Sequence, residues 1–272
     1  MSQKICFVGG GNMAASLIGG LIADQYSPED ICASDIDQQQ LASLSDRFGI
    51  ETSTDNIELA SSSDVIVLAI KPQVMREVCE NLSMLGTSSK QLFISIAAGV
   101  PATAIDKWLG ANRPIVRCMP NTPALLQLGA SGLFANARVD AEQKELALQI
   151  MQAVGIGLWV DSEDQLDAVT AISGSGPAYF FYFIELLVAA GTKLGLPADT
   201  AAKLARQTAL GAANMAIDGD VVELRAQVTS KKGTTEQAIL SFQRNHLDQL
   251  VNQATEAARH RSQELAEELT KP

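Results

Sequence analysis

Apolar residues follow two different patterns along this chain. In roughly the first 160 residues, short apolar runs of strand length alternate with longer segments of helical spacing. Residues 4–8, 31–34, 49–52, 64–70, 92–96 and 115–119 read as strands, and 130–135 and 158–160 as two more. Residues 13–23, 38–48, 73–82, 103–109 and 141–154 read as helices, with another short one beginning at Asp55-Asn56. The run 64–70 is almost wholly apolar, as a central strand buried on both faces must be. Strands alternating with helices predict an α/β fold with a Rossmann-like, doubly wound parallel sheet.

After Glu163 the strand pattern stops. Helices are predicted at 164–172, 177–194, 197–217, 221–228, 236–244 and 247–269. The segment 179–190, YFFYFIELLVAA, is apolar nearly all round. A surface helix of a small domain would have a polar face. This predicts a helical domain that interlocks with another subunit; the alternative is a buried central helix within one chain. The expected division is 1–161 for the dinucleotide-binding domain and 162–272 for an all-α domain. The polar tail 266–272 is expected to fray.

The first strand ends directly in Gly9-Gly10-Gly11, and Asn12 opens the first helix. Strand, glycine turn and helix form the context that a dinucleotide fingerprint requires. Gly9-x-Gly11-x-x-Ala14 fits, with alanine in the third slot. Gly9 allows the sharp turn, Gly11 lets a pyrophosphate approach the backbone, and Ala14 lets the helix pack close to the sheet. Free N–H groups at the helix start then face the phosphates. The other reading is a structural turn in some different α/β protein. Asp35 follows the second strand, where an acidic residue would bond an adenosine ribose. With no arginine in the local sequence Ser34-Asp35-Ile36-Asp37, this favours NADH. Helix capping is the competing role for these aspartates. Lys71-Pro72, Ala97-Ala98-Gly99 and Pro120-Asn121-Thr122-Pro123 each end a strand at the sheet's carboxyl edge, where ligands bind in such folds.

Composition narrows the function classes. The chain has 272 residues, 47% hydrophobic and 19% charged, with a net charge of −11. That charge argues against nucleic acid or an anionic membrane as partner, so an anionic cofactor must be held by local donors. No apolar run in the sequence reads as long enough to span a membrane, and no signal peptide is apparent; a cytoplasmic protein is expected. Cys6, Cys32, Cys79 and Cys118 are far apart without a CxxC, and most read as buried thiols. Both histidines, His246 and His260, lie near the C-terminus, so no metal site is expected.

Two glycine-rich turns precede helices in the second half. Residues 173–177, SGSGP, read as a helix-packing and capping turn. Residues 229–235, TSKKGTT, are dense in donors and favour anion binding. No Ser-His-Asp set or His–carboxylate pair offers acid/base chemistry. An alcohol dehydrogenase usually needs such a base. A reductase acting on an imine has less need of one, because the substrate nitrogen is basic and can arrive already protonated.

These residues together resemble the pyrroline-5-carboxylate reductase family. The resemblance rests on residues 7–13, 69–72, 95–100, 117–123, 173–179, and 224–230 with 233–235. It implies reduction of 1-pyrroline-5-carboxylate to L-proline, the final step of proline biosynthesis, with NADPH or NADH giving hydride to the imine carbon. It implies cofactor binding by Gly9, Gly11, Asn12, Met13 and Asp35, with Asn56 at the adenosine ribose. Ala69, Ile70, Lys71, Pro72 and Ala98 would line the nicotinamide side. Glu163, Ser230, Gly233, Thr234 and Thr235 would bind substrate, with Thr235 near the ring nitrogen as the catalytic candidate. The helical domain would form an intertwined dimer whose 230–235 loop completes the partner's site, with a decamer as the larger assembly. Two positions depart from the family pattern. Lys232 replaces a glycine, which costs roughly 1 kcal/mol if the site needs positive φ. Asp35 stands where some members carry a small hydroxyl residue that receives a 2′-phosphate, which counts against NADPH; members using both cofactors are known. The competing readings are a β-hydroxyacid-type dehydrogenase and a dinucleotide-binding protein without turnover.

Overall fold

The computed structural model describes residues 3–86 and 90–271. The chain forms two compact units: 1–175 with 257–272, and 176–256.

The first unit is built on an eight-stranded sheet of order β3-β2-β1-β4-β5-β6-β7-β8. The strands are β1 (Ile5–Val8), β2 (Ile31–Ser34), β3 (Glu51–Ser53), β4 (Val65–Leu68), β5 (Leu92–Ser95), β6 (Ile115–Met119), β7 (Gly129–Ala135) and β8 (Gly155–Trp159). Neighbouring strands are parallel except β6 and β7, which are antiparallel. The β6–β7 link is residues 120–128, with one 3-10 turn at Thr122–Leu126, too short for a parallel crossover, so the chain reverses direction there. β3 starts later than its apolar pattern suggests because Gly49 closes the preceding helix in the left-handed conformation, at φ 69°.

Both faces of the sheet are covered by helices, as burial on both faces of β1, β2, β4 and β5 demands. Side chains alternate between two cores. Ile5, Phe7, Val65, Val67 and Ile94 face α1 (Asn12–Ala23), α2 (Gln38–Phe48) and α6 (Ala141–Gln152). Cys6, Val8, Ile66, Leu68 and Phe93 face α3 (Asn56–Ser61), α4 (Met75–Leu82) and α5 (Ala102–Trp108). Asp37, Asp55 and Asp140 cap α2, α3 and α6 through side-chain bonds. The cysteines are buried and free.

Residues 165–193 continue as one helical run. It comprises α7 (Gln165–Val169), a π-helical turn at 170–174 and α8 (Gly176–Lys193). The sequence pattern breaks this run at Ser173-Gly174, but the π turn carries the helix through. By length and composition the joined run suffices to cross a membrane, which the separate segments did not suggest. The second unit consists of α8, α9 (Ala198–Ala216), α10 (Val221–Gln227), α11 (Thr234–Arg244) and the start of α12 (Leu247–Thr270). Its apolar side chains are widely exposed: Phe180, Phe181 and Tyr182 are 71%, 66% and 60% accessible.

The C-terminal tail does not fray as its polarity suggests. α12 runs to Thr270, and its last turns belong to the sheet unit. The Ser262 hydroxyl bonds Asp167 Oδ1 at 2.6 Å, Leu269 packs on the α4–α5 core, and Arg76 donates to the Lys271 carbonyl. Pro272 lies outside the described residues.

Candidate active site

The carboxyl edge of the sheet gathers the loops after β1, β2, β4, β5 and β6. Gly9 leaves β1 at φ +104°, a conformation that L side chains rarely adopt, and a Cβ there would run into the Ala69 carbonyl. The Gly9 N–H donates to the Ser34 carbonyl at 2.7 Å, which fixes the turn against β2. Gly11 is the N-cap of α1 and provides no side-chain cap. A Cβ at Gly11 would meet nothing within 4 Å, so the space over it is open. An α-helix start has N–H groups without intrahelical partners, and here they face that open space. The arrangement fits a dinucleotide pyrophosphate. Asn12 is exposed, whereas the Met13 side chain packs on the core and leaves its backbone for a ligand.

Asp35 sits just beyond β2, where the sequence places it, and it does more than the fingerprint implies. Its Oδ2 accepts the Gly10 N–H at 2.6 Å and its Oδ1 accepts the Asp37 N–H at 2.9 Å. The carboxylate therefore braces the glycine loop. Asp37 caps α2, and Asp55 caps α3 beyond the neighbouring strand β3. With Glu58, whose Oε2 accepts the Ser53 hydroxyl at 2.6 Å, four carboxylates follow the ends of β2 and β3. From 34 to 46 the sequence has no lysine or arginine, and Arg47 lies over the Phe48 ring, 4.7 Å from its centroid. Asn56 is the first residue of α3.

Ala69, Ile70, Lys71 and Pro72 follow β4 along the same edge, with Lys71 exposed and the other three half-buried. Ala98 follows β5 and is half-buried. Glu163, in the segment after β8, reaches the start of α5 that follows this loop. Its Oε1 accepts the Ala102 N–H at 2.6 Å and the Arg117 Nη1 at 2.8 Å. Arg117, on β6, is only 9% exposed, and its Nε has no hydrogen-bond partner among the described residues. Arg117 was not foreseen from the sequence; the one available signal was a charged residue inside an otherwise apolar strand.

The second constellation belongs to the helical unit. Gly233 is the N-cap of α11 and offers no side-chain cap. Its N–H donates to the Ser230 carbonyl at 2.9 Å, and a Cβ at 233 would collide with the Ser230 hydroxyl. The turn therefore closes over Ser230, and the first N–H groups of α11, Thr234 and Thr235 among them, have no partner within their own helix. Lys232 does adopt positive φ, +62°. Its N–H donates to Glu236 Oε2 at 2.7 Å, which tethers the loop to α11.

Comparison with known proteins agrees in both halves. Residues 4–99 match the family described as NADP oxidoreductase coenzyme F420-dependent, and residues 163–265 match pyrroline-5-carboxylate reductase dimerisation. A nicotinamide-dinucleotide oxidoreductase with an α/β cofactor unit and a helical self-association domain is the class defined by the sheet, its glycine turn and these matches. Similarity over the whole chain is more specific. The pyrroline-5-carboxylate reductase of Pseudomonas aeruginosa is 54% identical over 270 residues, 98% of each protein. The solved structure of a pyrroline-5-carboxylate reductase from Coxiella burnetii superposes with a TM-score of 0.94 at 47% identity, covering 98% of this chain and 99% of that one. The Plasmodium falciparum pyrroline carboxylate reductase, solved with NADP bound, gives 0.83 at 31% identity, covering 97% and 98%. The chain belongs to the pyrroline-5-carboxylate reductase family.

Proposed function

We propose that this chain reduces 1-pyrroline-5-carboxylate to L-proline with NADH or NADPH, the final step of proline biosynthesis. The observation that carries this reading is the presence of two glycine-headed, uncapped helix starts, α1 in one unit and α11 in the other, in a chain 54% identical over 270 residues to a reductase of that name.

When bound, the reduced dinucleotide supplies a hydride to the imine carbon. The protein's own residues supply position, charge and exclusion of water. Gly11, Asn12 and Met13 hold the pyrophosphate through backbone N–H groups, and Gly9 makes the turn that brings it close to the backbone. Asp35 and Asn56 meet the adenosine ribose, and Ala69 to Pro72 with Ala98 flank the nicotinamide. Ser230, Gly233, Thr234 and Thr235 hold the substrate carboxylate at the start of α11, where the helix dipole favours negative charge. The Thr235 hydroxyl holds the proton at the ring nitrogen. Glu163 completes the substrate side, and Arg117 sets the orientation of its carboxylate. Because the imine nitrogen arrives protonated, no histidine base is required.

Four carboxylates after β2 and β3, with no lysine or arginine from 34 to 46, make the adenosine site poor for a 2′-phosphate, so NADH is the preferred reductant in this reading. The exposed aromatic residues of α8 pair with a second copy as an intertwined dimer, with a decamer as the larger assembly. The reading places the enzyme in the cytoplasm, bound to neither nucleic acid nor membrane. Oxidation of NADH and of NADPH in the presence of pyrroline-5-carboxylate tests the activity. No turnover with either reductant refutes it, and binding without turnover leaves only the dinucleotide-binding alternative.

A further inference from the structure

The helical run that leaves the sheet unit contains a gap in its own hydrogen bonding. At 170–174 it forms a π turn, in which the Ser175 N–H donates to the Thr170 carbonyl at 2.8 Å. Pro177 follows inside α8. In an α-helical pattern the N–H of residue 177 would serve the carbonyl of Ser173. Proline has no N–H, which leaves the carbonyl of half-buried Ser173 without its helical donor. Asn121, in the turn after β6, fills the gap: its Nδ2 donates to the Ser173 carbonyl at 3.0 Å. The other end of the same amide is also engaged, with Oδ1 accepting the Ala130 N–H at 2.9 Å at the start of β7. One side chain therefore joins the carboxyl-edge turn, β7 and the π turn. Among residues of this size, the task needs a group that donates at one end and accepts at the other, which aspartate cannot do when ionised. π turns within helices often mark functional sites, and this one lies directly before the division between the two units.

We propose that Asn121 is a positioning residue for the reaction. Its amide locks the π turn, directly before α8 begins, to the cofactor-binding edge of the same unit. The proposal rests on the functional reading above. Both ends of the Asn121 amide are committed to Ser173 and Ala130, so loss of the lock weakens use of pyrroline-5-carboxylate and spares dinucleotide binding.

The test compares wild type, Asn121→Asp, Pro177→Ala and the double variant. Pro177→Ala restores a backbone N–H to the helix and should replace the lost donor. In Asn121→Asp, KM for pyrroline-5-carboxylate is expected to rise about tenfold, with the dissociation constant for NADH, from fluorescence titration, within about twofold of wild type. Hydrogen exchange of the 170–176 amides should quicken about tenfold. The double variant should recover most of both losses. An unchanged KM, an equal rise in KM and NADH dissociation constant, or no recovery in the double variant overturns the proposal. If Asn121→Asp does not fold, Asn121→Ala with the same partner substitution decides it by the same criteria. Wild-type turnover is scored separately: its absence refutes the reductase reading, while hydrogen exchange still reports whether the lock exists.

Discussion

Removing the Glu163 carboxylate distinguishes two roles that meet in one residue. The family resemblance puts Glu163 beside the substrate, whereas the structure has one of its oxygens bonded to both Arg117 and the Ala102 N–H. In Glu163→Ala, Arg117 keeps its charge at 9% exposure, with another nitrogen already unpartnered. Breaking a buried pair by deleting one member costs about 3–5 kcal/mol. The Glu163 side chain is 23% exposed, and water screening brings this down to about 2–3 kcal/mol. In a chain of this size that corresponds to a loss of about 5–10 °C in melting temperature. Glu163→Gln retains an oxygen for Ala102 and should lose about half as much. The assay is thermal melting of Glu163→Ala alone and in an Arg117→Met background, alongside steady-state kinetics. In that background no charge is stranded, so the penalty for Glu163→Ala should fall by more than half. Melting within about 1 °C of wild type, or the same penalty in both backgrounds, refutes the ion-pair argument. A rise confined to KM for the substrate would then assign the carboxylate to the substrate instead.

Other outcomes follow from single residues. Asp35→Ser removes a carboxylate from the adenosine site, so the NADP-to-NAD ratio of dissociation constants should fall about tenfold, roughly 1.4 kcal/mol. Because the brace on Gly10 is also lost, only the ratio is diagnostic, and an unchanged ratio dismisses the repulsion. Thr235→Ala should lower turnover about a hundredfold while NADH affinity holds; an unaffected rate removes Thr235 from the proton's path. Lys232→Gly relieves a left-handed backbone and should stabilise the protein by about 1 kcal/mol, or 2–4 °C; a lower melting temperature would show that the strain argument is wrong. Burial pushes the Cys79 thiol up to about 12 and the Cys118 thiol upward as well. Both ionise near 9 once unfolded, so above that pH the folded state binds more protons. Stability then falls with rising pH by up to about 1.4 kcal/mol per unit for each thiol. Denaturant midpoints at pH 8 and 10 should converge partly in Cys79→Ala and Cys118→Ala, and an identical pH slope would remove the thiols from the account.

Much of this protein was legible along the chain, because its signals are local. A strand buried on both faces must be apolar throughout, so β1, β2, β4 and β5 stand out without neighbours. The glycine turn after β1 is read from three adjacent residues, since the positive φ of Gly9 and the open space over Gly11 serve a tight, ligand-facing backbone. The aspartates before α2 read as a cap for the same local reason, and Asp37 is that cap. Tertiary structure decided what depends on partners far apart in sequence. The pairing of Glu163 with Arg117 spans 46 positions and that of Asn121 with Ser173 spans 52, and neither leaves a periodic trace. The polar tail looked ready to fray, yet Ser262, Leu269 and Lys271 bind elements from the other end of the chain. Residues 173–177 looked like a break between helices, yet a π turn and a side-chain amide from another loop satisfy the backbone there. Local sequence sets φ, ψ and periodicity, but which distant group completes a hydrogen bond or neutralises a charge is settled only when the strands have taken their order in the sheet.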